Sequence, residues 1–400
     1  MDRRTSQKKI GSRKIVVFDF PGHPFQYDLS RKLSEIENCR VYHLYNPKQL
    51  GPKSSFQNSE SLKIITVPKY FSKNHFIRLK DELVYGFLIF SKIYKINPDV
   101  IISSNMPLIP QSFFLLYSKI FGKQFIFWLQ DIISIAAEKI LKKQKNIFSS
   151  IVGSFFNILE FFLLRNSDHV VTITTDFDNI LTNKGLNKKN ITCIPNWAPI
   201  NDIPVLSKKN SFSIKHDLDN SFNILYSGTM GFKHNPDVLY DLGVFLDKLK
   251  INAKVVVVTE GDAVEYLKNK VQNSNLDNFK FLPFQDFDIF PEVLATADIS
   301  LVMLEEEAGE FCVPSKLLSI LCSKRIPLLF LSENNLASRI VLENECGFHV
   351  NNQDDLNKTI ESVYNNIEQY NTMKDNTLKY AKTYFNIDKI ADQFLTIIKN

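Results

Sequence analysis

Residues 222–237 read FNILYSGTMGFKHNPD, and this stretch decides the fold. Phe222–Tyr226 is a short, nearly continuous apolar run, as expected of a strand covered on both faces. Gly228 and Gly231 break it into a loop that carries Lys233. Asn235 and Pro236 are residue types that cap and open a helix, and the spacing predicts that helix over Pro236–Lys250. Strand, loop and helix in this order form the repeating unit of a parallel α/β sheet.

The unit recurs downstream. Lys254–Thr259 (KVVVVT), Phe279–Leu282, Ile299–Leu304 and Ile326–Leu331 read as strands. Val264–Asn273, Ile289–Ala295, Pro314–Ser323 and Leu336–Glu343 read as the helices between and after them. Upstream, the run from Pro195 to Pro199 interrupts the alternation, and a polar stretch continues to about Asn220. Before that break a first set of strands is expected at Lys14–Phe20 (KIVVFDF), Arg40–Tyr45, Leu62–Val67, Asp99–Ser104, Phe125–Leu129, His169–Thr174 and Asn190–Ile194. Gln26–Glu37 has helical spacing, with Leu29, Leu33 and Ile36 on one face. The expected architecture is therefore α/β, with two Rossmann-like doubly wound domains. Its parts are a basic tail at 1–13, an N-terminal domain at 14–197, a linker at 198–220, a C-terminal domain at 221–378 and a terminal helix at 379–400 that packs back on the first domain.

Composition agrees with two globular domains. The 400 residues are 44% hydrophobic, 12% aromatic and 23% charged. The 5 cysteines are scattered without a CxxC pair, so neither a disulfide framework nor a structural zinc site is expected, and a reducing cytoplasm fits. A net charge of +5 is too small to point to nucleic acid. The apolar run IVVFDF is too short for a secretory signal. Leu108–Phe121 and Ile147–Leu164 are very apolar but interrupted, by Lys119 in the first and Glu160 in the second. They read as helices packed on the first sheet; a membrane-facing patch is the other reading.

In open α/β sheets ligands bind beyond the carboxyl ends of the strands. The 228–233 loop suits a phosphate, with Lys233 bringing charge to it. A second loop, Glu305–Val313, leads into Pro314-Ser315-Lys316. Free backbone N–H groups there and the Lys316 charge suit a diphosphate without a metal. Glutamates of that loop can accept hydrogen bonds from sugar hydroxyls, whereas Glu306 and Glu310 read as solvated. In the first half, the loops Pro21–Pro24 and Asn105–Pro107 and the pair Gln130-Asp131 each follow a buried strand. Asp131 either faces the cleft or pairs with a neighbour, and His23 is the weaker candidate. Asp176-Phe177-Asp178 and Asp286-Phe287-Asp288 have the DxD spacing of a metal site, but both read as helix starts, so no metal is expected. No GxGxxG follows any strand, which argues against a nicotinamide oxidoreductase.

Several stretches together carry a resemblance. They are NILYSGTMGFKHNPDVL (223–239), FPEVLATADISLVML (290–304), AGEFCVPSKLLSILCSKR (308–325), ENNLASRIV (333–341), FIFWLQDIISIAAEKIL (125–141), SDHVVTITTDFDNIL (167–181) and CIPNWAP (193–199). The chain resembles the retaining GT-B glycosyltransferases of family 4, in particular bacterial enzymes of capsule, O-antigen or colanic-acid-type polysaccharide synthesis. The resemblance implies two domains facing a central cleft and a nucleotide-diphosphate sugar as donor. It implies a lipid-linked saccharide acceptor at the inner face of the cytoplasmic membrane, with no cofactor. Carried over by position, Lys233 and Lys316 contact the donor diphosphate, with Gly228, Gly231, Gly309, Pro314 and Ser315 in the same pocket. Glu305 and Glu307 fall at the nucleoside or donor sugar, and Gly22 faces the diphosphate from the other domain. Asp131 falls at the reaction centre as the catalytic candidate, with His23, Asn105 and Gln130 on the acceptor side. The paired glutamates that many members carry are replaced by Phe311 and Ser319. That departure keeps two other readings open: a non-catalytic sugar-nucleotide-binding or scaffold homologue, and a GT-B epimerase acting on a UDP-sugar.

Overall fold

The computed structural model describes residues 13–49, 51, 53–72, 74–132, 134, 147–305 and 313–399. Two wholly parallel sheets organise them. The first has seven strands in the order β3-β2-β1-β4-β5-β6-β7: β1 Arg13–Asp19, β2 Cys39–Tyr45, β3 Leu62–Thr66, β4 Val100–Ser104, β5 Gln124–Leu129, β6 His169–Thr172 and β7 Ile191–Cys193. The second has six, in the order β10-β9-β8-β11-β12-β13: β8 Phe222–Ser227, β9 Ala253–Val258, β10 Phe279–Leu282, β11 Ile299–Met303, β12 Ile326–Phe330 and β13 Phe348–Val350. Both orders reverse direction beside their first strand, between β1 and β4 and between β8 and β11. Such a reversal opens a crevice at the carboxyl ends. The register there sets Asp19 beside Ser104, at the mouth of the first crevice.

Helices cover both faces of each sheet, which is why the central strands are apolar on both sides: Ile15 to Phe18 and Val255 to Val258 are all buried. The first helix, α1, runs Pro24–Ser34, two residues earlier than its hydrophobic spacing suggested. Pro24 is the cause: its fixed φ suits the first helical turn, so it belongs to the helix and not to the loop. Among the described residues the next three are α2, His75–Ile96, α3, Leu108–Phe121, and α4, Ile147–Asn166. The apolar segments read as helices are α3 and α4; α2 carries no strong sequence signal.

Two helix starts differ from expectation. Asn235 does not cap the following helix. It sits at φ 47°, closing a short 3-10 turn, and the helix begins at Asp237. Pro314 is not the first helical residue either, because that helix spans Lys316–Cys322 with Ser315 as its boundary.

The polar stretch after residue 198 is fastened at several points. Asp202 pairs with Arg31, Lys208 pairs with Asp298, and the Leu206 carbonyl accepts from Arg325. Asn210 caps the short helix Ser211–Lys215. At the end of the chain, the helix Ile387–Lys399 lies on the first domain. Phe394 packs 4.9 Å, edge to face, from Trp128, and the Ile397 carbonyl accepts from Gln124 at 2.9 Å. The residues after the C-terminal sheet thus return to the N-terminal one and tie the two domains together.

Candidate active site

The carboxyl ends of the two sheets face each other across a cleft of about 910 Å³. Its N-terminal wall includes His23, Pro24, Phe25 and the β2–β3 loop; its C-terminal wall includes Ser227, Gly228, Thr229, Ser315, Lys316 and Ser319. Trp197 to Pro199 also line it, so the segment that breaks the sequence pattern forms part of the cleft.

The N-terminal wall is built around Asp19, which is fully buried at the end of β1. The chain turns at Gly22 with φ +85°, where a Cβ would meet the Tyr45 ring at 2.8 Å. This turn brings His23 back onto Asp19. The His23 backbone N–H donates to one carboxylate oxygen, and the ring Nδ1 lies 3.2 Å from the other. Asn105, at φ 53° just past β4, donates to the same carboxylate at 3.1 Å. With its amide nitrogen turned to Asp19, Gln26 donates to both oxygens at 2.6 Å. A carboxylate only accepts, so Nδ1 carries the proton and Nε2 is the atom left for a ligand. Burial works to lower the His23 pKa, but the Asp19 charge and hydrogen bond outweigh it and raise the pKa above 6.5.

The C-terminal wall has the opposite character. Gly228 has φ +129°, a conformation other residues rarely adopt, and the Lys316 side chain runs directly over it. The Lys316 ammonium donates to the Tyr226 hydroxyl and to the Thr229 carbonyl (3.2 Å), and lies 4.0 Å from the Tyr226 ring centroid. His234 is buried beneath this loop, with Nδ1 accepting from the Gly231 N–H at 3.0 Å. Burial, then Lys316 and Lys233, push its pKa down to about 3, so it stays neutral and holds Gly231 in place.

The remaining candidates divide. Gly22, His23 and Asn105 gather at Asp19, and Gly228, Ser315 and Lys316 meet opposite them. Gly231 and Pro314 adjoin that wall without lining it. Lys233 is exposed and outside the cleft lining, because its 3-10 turn directs it away; its carbonyl accepts from the Glu305 N–H at 2.9 Å. Glu305 lines a separate cavity of about 540 Å³ with Asn235, Leu331 and Glu333. Glu307 and Gly309 lie outside the described residues, as do Glu306, Glu310 and Phe311. Gln130 is not open to an acceptor. It is buried and closes a reciprocal amide pair with Asn196, at 3.2 and 2.6 Å. Asp131 is exposed beyond β5 and does not line the cleft. The β5 strand ends at Leu129, and the carboxylate that holds His23 is Asp19.

Both DxD segments make contacts between the domains. Thr174, not Asp176, caps the helix Thr175–Asn183, and the Asp176 carboxylate receives both terminal nitrogens of Arg339 from the C-terminal domain. Asp288 accepts from Ser55 of the N-terminal domain at 2.5 Å. Among the described residues no cluster of three or more metal-ligating side chains occurs.

Residues 208–380 match the family Glycosyl transferases group 1. A protein named as a colanic acid biosynthesis glycosyl transferase, WcaI of Escherichia coli (strain K12), is 30% identical over 162 residues. That similarity spans 40% of this chain and 39% of the relative's length. Solved structures match nearly end to end. An Anabaena HepE structure in complex with UDP and glucose superposes with a TM-score of 0.71 at 14% identity, covering 97% of this chain and 99% of that one. Sucrose-phosphate synthase from Thermosynechococcus elongatus gives a TM-score of 0.75 at 13% identity, covering 97% and 98%. WaaG, a glycosyltransferase involved in lipopolysaccharide biosynthesis, gives 0.67 at 16% identity, covering 94% and 98%. These likenesses show the fold: two parallel-sheet, Rossmann-like domains in the GT-B arrangement.

Proposed function

We propose that this chain transfers a sugar from a UDP-sugar to a saccharide acceptor, with retention at the anomeric carbon. The observation that carries the reading is the pairing of unlike walls across one cleft. On one side Lys316, Gly228 and a neutral His234 suit the charge that develops on a leaving diphosphate. On the other, His23 on buried Asp19 presents Nε2 to an incoming hydroxyl or to the donor sugar. Bound UDP and glucose in the HepE structure support the choice of base. The positive charge comes from the protein, and the DxD carboxylates Asp176 and Asp288 are engaged with Arg339 and Ser55, so the proposed reaction needs no metal.

The acceptor is proposed to be lipid-linked, in bacterial surface polysaccharide synthesis at the cytoplasmic face of the membrane. Among the described residues no helix is long and apolar enough to cross a membrane. The N-terminal domain nevertheless exposes large apolar side chains on three neighbouring helices: Phe76, Phe87 and Tyr94 on α2, Ile120 on α3, Ile158 and Phe162 on α4. Arg78, Lys80, Lys92 and Lys95 are exposed on the same α2. Exposed apolar and basic side chains along one helix suit an anionic lipid surface. The experiment is one incubation of the protein with radiolabelled UDP-glucose, lipid-linked oligosaccharide and anionic vesicles, with and without EDTA. An α-linked product, unchanged by EDTA and formed by vesicle-bound protein, is expected. UDP-sugar consumption without transfer, or a β-linked product, contradicts the reading. A product released as a different free UDP-sugar would mean an epimerase.

A further inference from the structure

Lys53 is a cation inside the cleft with no carboxylate beside it. It stands half-buried on the loop between β2 and β3, in the N-terminal wall. Its ammonium donates to the carbonyls of Gln49 (2.5 Å) and Gly51 (3.5 Å), which occupy two of its three N–H donors. Among the described residues it makes no ion pair. Burial lowers its pKa, and Glu260 across the cleft and Asp19 behind it offset this only from a distance. Cations taken out of water are ordinarily paired with a carboxylate, so one held only by carbonyls in a cleft favours an anion from outside.

It is not alone. Lys48 lines the same wall, with its ammonium 5.1 Å from the Tyr70 ring centroid. Tyr70 is 69% exposed and also lines the cleft. The Lys53 charge reaches His23 strongly enough to act against its protonation, so this loop lies close to the Asp19–His23 pair. The wall that faces the acceptor thus carries two lysines and an open aromatic ring, while Lys316 serves the opposite wall. A donor diphosphate held at Gly228 and Lys316 leaves the Lys48–Lys53 pair unused.

We propose that Lys53 and Lys48 form an anion subsite that takes a phosphate or diphosphate group of the acceptor, with Tyr70 against the portion next to it. The inference rests on the reading above, in which the C-terminal wall takes the donor. It places a negative charge on the acceptor and a fixed distance between that charge and the hydroxyl that reacts at His23.

The test is a calorimetric titration of inorganic pyrophosphate into the protein already saturated with UDP. Wild type is expected to bind it. The double variant Lys48→Gln/Lys53→Gln is expected to weaken binding by about tenfold or more, the usual scale for lost charge-assisted contacts. Lys53→Arg restores most of it, and Lys316→Ala leaves it nearly unchanged. UDP binding retained by each lysine-loop variant shows that it is folded. Competition by farnesyl diphosphate supports the subsite with a lipid-linked source of the phosphate; competition by glucose 6-phosphate supports it with a soluble one. No pyrophosphate binding in the presence of UDP overturns the proposal. So does a site that Lys316→Ala removes and the double variant keeps. If UDP itself does not bind, the proposed donor fails separately, and the same variants titrated with pyrophosphate alone still decide the subsite.

Discussion

His23 and His234 occupy matching places, each in the loop after the first strand of its sheet, yet their chemistry is opposite. His23 faces a buried carboxylate, and its pKa is raised despite burial; at His234 burial, then Lys316 and Lys233, push the pKa down to about 3. The backbone geometry is shared, since both loops turn on a glycine with positive φ, Gly22 and Gly228. What differs is one neighbour: Asp19 at the end of β1, against Lys316 packed over the end of β8. Duplicated topology provides two mouths, and one charge in each, buried Asp19 and half-buried Lys316, sets them apart; in the proposed reaction the first serves protons and hydroxyls and the second phosphate.

The sharpest way to break this comparison is to remove the charge from the phosphate wall. Lys316→Ala should lower kcat by about 10²–10³-fold, the scale for deleting one preorganised electrostatic group. Lys233→Ala, on an exposed side chain outside the cleft, should cost at most a few-fold. Equal losses would mean that the wall is not organised around Lys316.

Next in size is the proton wall. Asp19→Asn keeps the shape but removes the acceptor that fixes His23. A fall in kcat of about 10–100-fold is expected, with donor affinity within a few-fold of wild type. Asp131→Asn should change kcat little, because Asp131 lies outside the cleft lining. A larger effect at Asp131 than at Asp19 would transfer the reaction centre to the end of β5.

These two carboxylates also show how far the sequence was readable. Strands such as KVVVVT are unmistakable because parallel strands are apolar on both faces, and the family motifs fix where the loops lie. Whether a side chain at a strand end turns inward depends on where the strand stops. Asp19 is the last residue of β1 and stays inside; Asp131 comes two residues after β5 ends and does not. An acidic residue within an otherwise apolar run was the available signal for Asp19, and a buried carboxylate there needs the partners that the loop supplies. Gln130 looked available because its partner, Asn196, is 66 residues away. The helix α2 was not legible for a different reason. Its apolar residues extend onto the exposed face, through Phe76 and Phe87, which blurs the 3.6-residue stripe.

The smallest expected effect is in stability. The folded-state pKa of His23 is raised above its unfolded value near 6.5. Protonation therefore favours the folded state. This contribution is fully present below about pH 6.5 and is lost as pH rises through the raised value. Asp19→Asn should flatten that part of the Tm-against-pH curve relative to wild type, whereas His234→Asn should leave its slope unchanged, since His234 does not titrate there. An unaltered slope in Asp19→Asn would mean that Asp19 does not hold the His23 proton.

The central claim, that one wall binds the diphosphate and the other acts on the acceptor, is tested most directly by titrating UDP into three proteins under one set of conditions. With wild type as reference, Lys316→Ala should weaken UDP by about tenfold or more, and Asp19→Asn should bind it within a few-fold. UDP affinity lost in Asp19→Asn and kept in Lys316→Ala would contradict the account.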